Sequence, residues 1–157
     1  MNLPKKLERN FMPTLINCLE QDHDMIRTLM NYIRSEEVKL PQKKRHFEKF
    51  CSVVLSNIRS EEQAVYAPSR VLRNNYMQQQ IQTGLKQHFL IKNAIVKLRL
   101  LEDDTAWMQE FEALSGLLDY HLGEEESEFF AELSRGLSEE QLSTASEHYL
   151  SMRSDCT

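Results

Sequence analysis

The sequence predicts an all-α protein, and two features of its composition support this class. Only four glycines and four prolines occur among 157 residues, which leaves little material for the turns of a sheet protein. Leu, Glu, Gln, Met, Lys and Arg are frequent, and all of them favour helices. Apolar residues also recur every three or four positions along four separate segments, as in amphipathic helices. We therefore expect four long helices packed as a bundle.

The first predicted helix contains one polar residue on its apolar face. It begins near Pro13, since proline suits the first turn of a helix, and extends to Arg34. His23 lies on the apolar stripe, four residues after Leu19 and three before Ile26. A titratable side chain is thus expected where an apolar one is usual.

The second predicted helix begins at Pro41 and ends or kinks near Pro68, because proline interrupts helical hydrogen bonding. Asn57 and Glu61 lie four residues apart and so share one face. That face coincides with the apolar stripe, which directs both side chains inward. Ser60 and its polar neighbours are expected to point largely outward.

The third predicted helix, from about Asn75 to Leu101, again places a histidine in mid-stripe, at His88. Gly84 lies one turn before this histidine. Two readings of the glycine are open. It either leaves room for a neighbouring side chain or is a tolerated glycine within a helix.

The fourth predicted helix repeats the arrangement of the second. A cap within residues 103–105 begins it. His121 and Glu125 then lie four residues apart on the inward face, as Asn57 and Glu61 do. The likeness between the two segments suggests two related helical hairpins.

These helices predict an up-down-up-down four-helix bundle over about residues 12–134. A short extra helix is expected over about 138–153, since Ser138 and Gln141 have the spacing of a capping box. We expect residues 1–157 to form a single domain. The extra helix either covers the bundle or forms a homodimer.

Charge and cysteine content exclude several classes of protein. The net charge of -5 argues against a nucleic-acid partner, because clustered Lys and Arg drive phosphate binding. No apolar run approaches membrane-spanning length, so no membrane partner is expected. Cys18, Cys51 and Cys156 are odd in number and lack a C-x-x-C motif, which fits a reducing cytoplasm.

The polar residues on the inward faces point to a metal site. Each histidine or glutamate alone is more often a hydrogen-bonded core residue or a surface residue. Together they would bury carboxylates close to one another, which is costly unless a cation compensates. A mixed imidazole and carboxylate set suits iron, manganese or zinc. The candidate metal ligands are His23, Glu61, His88, His121, Glu125 and, weakly or through a water, Asn57.

Four motifs follow one another in an informative order. They are His23-Asp24, Asn57-x-x-x-Glu61-Glu62, Gln87-His88 and His121-x-x-x-Glu125-Glu126. This order resembles the hemerythrin-like, or HHE cation-binding, domain. The resemblance implies a four-helix bundle with a non-haem di-iron centre. His88 and His121 would then bind one iron and His23 the other, with both glutamates bridging them.

Two departures from the family pattern affect the second iron position. Asn57 stands where a histidine is expected, and an asparagine offers only a weak amide oxygen. Gly84 and Lys92 occupy the positions four residues from His88, where oxygen-carrying hemerythrins have a further histidine. His46 lies about three turns from Asn57, roughly 16 Å along the helix, and so cannot readily supply the missing ligand. The second position is therefore either weak or empty, or open to a small molecule such as O₂ or NO.

Three functions remain open from the sequence. The resemblance favours a di-iron module, with two irons or only one bound, that binds, senses or responds to O₂, NO or iron. An iron-dependent enzyme of oxidative or nitrosative stress is a second reading, although no Ser/His/Asp arrangement or phosphate loop indicates catalysis. The third is a degenerate bundle with one metal or none that acts through protein contacts, which the loss of a histidine at Asn57 favours.

Overall fold

The computed structural model describes residues 14–154, which form five helical stretches and contain no strand. The all-α prediction is confirmed for this part of the chain. Two π-helical segments, π1 (Glu62–Tyr66) and π2 (Glu125–Phe129), each continue a long helix into a shorter one. The α-helices are α1 (Leu15–Arg34), α2 (Leu40–Glu61), α3 (Ala67–Ser69), α4 (Asn75–Leu100), α5 (Asp104–Glu124), α6 (Phe130–Gly136) and α7 (Glu139–Ser154).

The helix ends follow from short polar residues that accept backbone N–H groups. Thr14 caps α1 by accepting from Asn17 N at 3.1 Å; the predicted start at Pro13 lies outside the described residues. Asp103 caps α5 by accepting from Ala106 N at 2.8 Å. Before α7, Ser138 and Gln141 form the predicted capping box, each side chain accepting the other residue's backbone N–H.

The second helical stretch does not stop at its proline. Pro68 lies inside α3, near the end of a helical stretch that is continuous from α2 through π1, and its missing N–H removes one helical hydrogen bond there. The stretch ends at Ser69. The proline thus marks the last turn of the helix, which was one of the two expected outcomes.

The buried apolar side chains form two clusters stacked along the bundle. The first is centred on aromatic rings, with Trp107 and Phe111 stacked at 5.5 Å and Phe47 edge-on to Trp107. The second surrounds Tyr66 and Tyr149. On each of the four long helical stretches the buried histidines and glutamates lie where one cluster gives way to the other. The helices therefore bring these polar side chains to one level.

The last helix, α7, packs against α1, α2 and π1. Its Ala145 and Tyr149 side chains are buried, and His148 faces solvent. The prediction for Ser60 was wrong, because this side chain is fully buried. Periodicity alone assigns that face of α2 to solvent, but the packing of α7 against α2 buries more of that helix than four helices would. Within residues 14–154, no helix has the length and apolar content needed to cross a lipid bilayer.

Candidate metal centre

Five of the six candidate ligands converge in the interior of the bundle. Two overlapping groups result, and in each the potential ligand atoms lie within 4.8 Å of one another. The first group, called here the His121 position, consists of Glu61, His88 and His121. The second, the His23 position, consists of His23, Glu61 and Glu125. Glu61 belongs to both groups and so lies between them.

Glu125 also reaches both positions. Its Oε1 lies 3.0 Å from His121 Nε2 and 3.6 Å from His23 Nε2. Glu61 Oε1 lies 3.5 Å from His88 Nε2 and 3.8 Å from His121 Nε2. All five residues are at most 4% exposed. Two carboxylates thus lie among three imidazoles in a space closed to solvent.

Each histidine directs Nε2 into the site and forms a hydrogen bond through Nδ1 to a residue outside it. His23 Nδ1 donates to Glu126 at 3.0 Å, and His88 Nδ1 donates to Glu62 at 3.0 Å. His121 Nδ1 donates to Gln87 at 2.5 Å. A proton on Nδ1 leaves the Nε2 lone pair pointing into the site, which is how metal-binding histidines are commonly oriented.

The outer acceptor of His23 is itself anchored. The guanidinium of Arg27 donates twice to Glu126, with both distances 2.7 Å. This pair of bonds lowers the pKa of Glu126. The carboxylate therefore remains charged and keeps the proton of His23 on Nδ1.

Several polar atoms on the inner face of the site lack a hydrogen-bond partner among residues 14–154. Within the described residues, His23 Nε2, both carboxylate oxygens of Glu61 and Oε1 of Glu125 are buried without a hydrogen-bond partner. His88 Nε2 and His121 Nε2 are 3.0 Å apart, so two lone pairs face each other. Buried polar atoms without partners are costly. Their convergence is the expected arrangement for the donor atoms of a cation.

Titration of the buried groups reflects the same deficit of positive charge. Burial, and then the negative charge of Glu125, raises the pKa of Glu61 to about 7. Burial alone would lower the pKa of His23, but Glu125 and Glu61 outweigh it and raise that pKa to about 9. Burial opposes ionisation of Glu125 too, yet His121 and its other partners hold the pKa of Glu125 well below its usual range. Glu61 is thus the carboxyl of this unequal pair that retains a proton. Without a cation His23 also retains a proton on Nε2, which metal binding would displace.

Both π-helical segments lie at the site. π1 begins directly after Glu61 and π2 begins at Glu125, and such segments occur frequently at functional sites. The acidic pairs Glu61-Glu62 and Glu125-Glu126 lie where these segments begin. The second glutamate of each pair contacts a histidine of a neighbouring helix. Neither segment was predicted, because apolar periodicity does not distinguish a π-turn from an α-turn over five residues.

Tyr66 and Gly84 explain each other. The Tyr66 ring stacks on His88 with centroids 5.4 Å apart, and its hydroxyl lies 3.5 Å from Glu125 Oε2. A Cβ at Gly84 would overlap that hydroxyl and lie 2.9 Å from the ring carbon that bears it. The glycine therefore makes room for Tyr66. Tyr120, which directly precedes His121, is 60% exposed.

Asn57, the sixth candidate, is buried one turn before Glu61 and is connected to α7. Its Nδ2 donates to the Tyr149 hydroxyl at 2.8 Å. That hydroxyl donates to Asp22 Oδ2 at 2.5 Å, and Arg153 donates to Asp22 Oδ1 at 2.9 Å. A buried polar chain thus links the last helix to the residue that precedes His23.

The residues that sequence reasoning missed all lie one step outside the candidate ligands. Glu62 and Glu126 could have been found, because each directly follows an inward glutamate in the repeated motif. Gln87 and Asp22 each precede a buried histidine, a weaker signal. Nothing in the spacing of α7 indicates that Tyr149 reaches Asn57.

The fold and the site define an all-helical protein with a buried histidine and carboxylate cluster suited to a cation. The sequence model of the hemerythrin HHE cation-binding domain matches residues 14–133. The chain therefore belongs to the hemerythrin HHE cation-binding domain family, as the order of its motifs predicted. A comparison with curated proteins found no match, and neither did a comparison with solved structures.

Proposed function

We propose that this protein binds two iron ions in the bundle interior and uses them to bind or sense a small diatomic molecule, O₂ or NO. The observation that carries the proposal is the group of four buried atoms without partners, on His23, Glu61 and Glu125. Three of these are carboxylate oxygens and one is an imidazole nitrogen, a donor set that suits iron. Zinc and manganese share this preference and are the alternatives to test.

We assign the ligands by proximity. His88 and His121 would hold the metal of the His121 position, and His23 would hold that of the His23 position. Glu61 and Glu125 each approach histidines of both positions, which suits them to bridge two metals. Asn57 would contribute only its amide oxygen. This assignment needs the four long helical stretches to run up-down-up-down, which we also propose.

When bound, iron would supply a redox-active Lewis acid that can bind a diatomic ligand at a coordination site that the protein leaves open. The protein's own residues prepare that place. The outer hydrogen bonds fix each imidazole, and the aromatic ring of Tyr66 covers one side of the site. With one histidine rather than two, the His23 position has fewer imidazole donors and is the better candidate for the open coordination site.

A second function is favoured by one observation. Asn57 directs its amide nitrogen to α7 rather than into the site, as in a bundle where this position serves packing. On that reading the chain holds one metal or none and acts through protein contacts. We also place the protein in the cytoplasm, supported by free buried thiols at Cys18 and Cys51.

Iron content of the purified protein tests the proposal. We expect up to two irons per chain in wild type after anaerobic loading with ferrous iron, measured by mass spectrometry. Glu61→Gln should lose most of this iron, because Glu61 belongs to both positions. Glu128→Gln is the matched control, since this residue lies on π2 but is exposed. Wild type without iron, or Glu61→Gln with as much as wild type, would contradict the proposal.

Gas binding is tested separately on the loaded protein. Titration of ferrous protein with NO under argon should change the visible and electron paramagnetic resonance spectra and saturate at no more than one NO per iron. Metal-loaded protein that shows no spectral response to NO or O₂ would leave a metal site but reject the gas-binding function.

A further inference from the structure

The two positions are built by corresponding residues, and one difference between them is informative. Gln87 directly precedes His88, and its Oε1 accepts from His121 Nδ1 at 2.5 Å. This bond turns the other nitrogen of His121 into the site. In the other half Asp22 directly precedes His23, and Asn57 stands where His121 stands. Here a third residue, Tyr149 of α7, lies between the two.

The hydrogen bonds at Tyr149 have a fixed direction. Tyr149 is buried, and its phenol carries a single proton. Arg153 and Tyr149 both donate to the carboxylate of Asp22. Because the phenol gives its only proton to Asp22, its oxygen can only accept from the other side.

This direction determines how the Asn57 amide is turned. Only the NH₂ group of Asn57 can donate to the phenol oxygen, and it does so at 2.8 Å. The amide oxygen then occupies the other arm of the side chain, directed away from Tyr149. Asn57 is 4% exposed and lies one turn before Glu61, among the buried residues of α2.

We infer that Tyr149 is a positioning residue of the metal centre, which holds Asn57 so that its amide oxygen faces the His23 position. Tyr149 then does for Asn57 what Gln87 does for His121. The inference rests on the proposed function. It also assigns a role in the centre to α7, which lies outside the residues that the family model matches, 14–133.

Metal release from two backgrounds tests the inference. Tyr149→Phe removes one oxygen and keeps the ring, so α7 retains its packing. We expect one of the two irons to leave Tyr149→Phe about tenfold faster than wild type, the usual size of an outer-shell effect on metal affinity. The release would be followed with a ferrous chelator in stopped flow. The second iron should keep its wild-type rate, because Gln87 and His121 are untouched.

The second background separates positioning from a merely structural role. In Asn57→Leu the amide oxygen is gone, so adding Tyr149→Phe should not change iron release further. A structural role of Tyr149 would instead accelerate release equally in both backgrounds and would overturn the inference. Unchanged release in Tyr149→Phe alone would overturn it too. Thermal unfolding shows whether each variant folds. If Asn57→Leu does not fold, Asn57→Ala replaces it in both the single and the double variant.

Failure of the proposed function has a different result. Wild-type protein that takes up no iron would reject the metal centre and this inference together. Wild-type protein that holds iron, with release indifferent to Tyr149, would reject the inference alone.

Discussion

The two halves of the candidate centre have corresponding positions but differ in their donor residues and in their outer hydrogen bonds. Around His121, three donors from α2, α4 and α5 meet, and the outer hydrogen bond comes from Gln87, next to a ligand histidine. Around His23, one imidazole shares two carboxylates, and the neighbouring asparagine is tied to α7. The comparison teaches that a bundle can carry an asparagine at one of two corresponding positions and a histidine at the other, with both polar, buried and hydrogen-bonded. The difference predicts one firmly held metal and one that exchanges more readily.

Removing single histidines should separate the two halves with the largest effect. His121→Ala is expected to abolish iron at its own position, because only Glu61 and His88 of that position's three protein donors then remain. His23→Ala should empty only the other position. Iron content by mass spectrometry is the measurement, and His46→Ala, an exposed histidine, is the control. Equal loss of both irons in both variants would show that the positions do not fill independently.

Stability as a function of pH should differ in sign between metal-free and metal-loaded protein. Folding raises the pKa of Glu61 from 4.5 to about 7 and that of His23 from 6.5 to about 9. The stabilisation by charged His23 is complete below pH 6.5 and is lost as pH rises through about 9. The cost of ionising buried Glu61 is absent below pH 4.5 and complete above about 7. The folded chain binds more protons than the unfolded chain. The unfolding free energy of metal-free protein should therefore fall by a few kcal/mol as pH rises, at about 1.4 kcal/mol per unit of pKa shift.

Metal reverses this trend, because both groups must release their protons before they can bind it. The gap in unfolding free energy between loaded and metal-free protein should therefore widen with rising pH. Urea unfolding between about pH 5 and pH 9, with and without a chelator, measures it. A metal-free protein that gains stability across this interval would show that these two groups do not carry the buried charge.

A histidine at position 57 should make the two halves of the centre more alike. Asn57→His would add an imidazole nitrogen, a better iron ligand than an amide oxygen, so the more labile iron should be retained about tenfold longer. Tyr149 can accept the Nδ1 proton of the new histidine as it now accepts from Asn57. Chelator-release kinetics give the comparison. Unchanged release would mean that position 57 does not face the metal.

Substitution of a glycine gives the smallest effect and probes the Tyr66 side of the centre. Gly84→Ala should destabilise the protein by about 1–3 kcal/mol, because its Cβ meets the Tyr66 hydroxyl in a packed interior. Gly116→Ala has no atom within 4 Å of its Cβ and should stabilise α5 by up to about 1 kcal/mol. Urea unfolding of the metal-free variants measures both. Equal changes in the two would remove the link between Gly84 and Tyr66.

Much of the fold was predictable from local signals, because apolar periodicity and capping residues act within a few positions. The bounds of α1, α4 and α7 were predicted within a few residues for this reason. The helical repeat also predicted that His23, His88 and His121 lie inside, where the structure brings them together with Glu61 and Glu125. Their roles as ligands remain a proposal.

The unpredicted features depend on contacts between distant parts of the chain. Ser60 is buried because α7 packs against α2, and the amide of Asn57 is turned by a tyrosine from that same helix. The position of a fifth helix on a bundle is not encoded in the periodicity of α2. The room at Gly84 was expected as one of two readings, but its occupant, Tyr66, lies on a separate helix.

Crystallography of iron-loaded protein, with anomalous scattering at the iron edge, tests the central claim most directly. We predict two anomalous peaks in the bundle interior, one beside His88 and His121 and one beside His23, with Glu61 contacting both. The peak beside His23 should be the weaker, in keeping with its single imidazole donor. A single peak with the His23 position vacant, or iron bound only at the protein surface, would contradict the account.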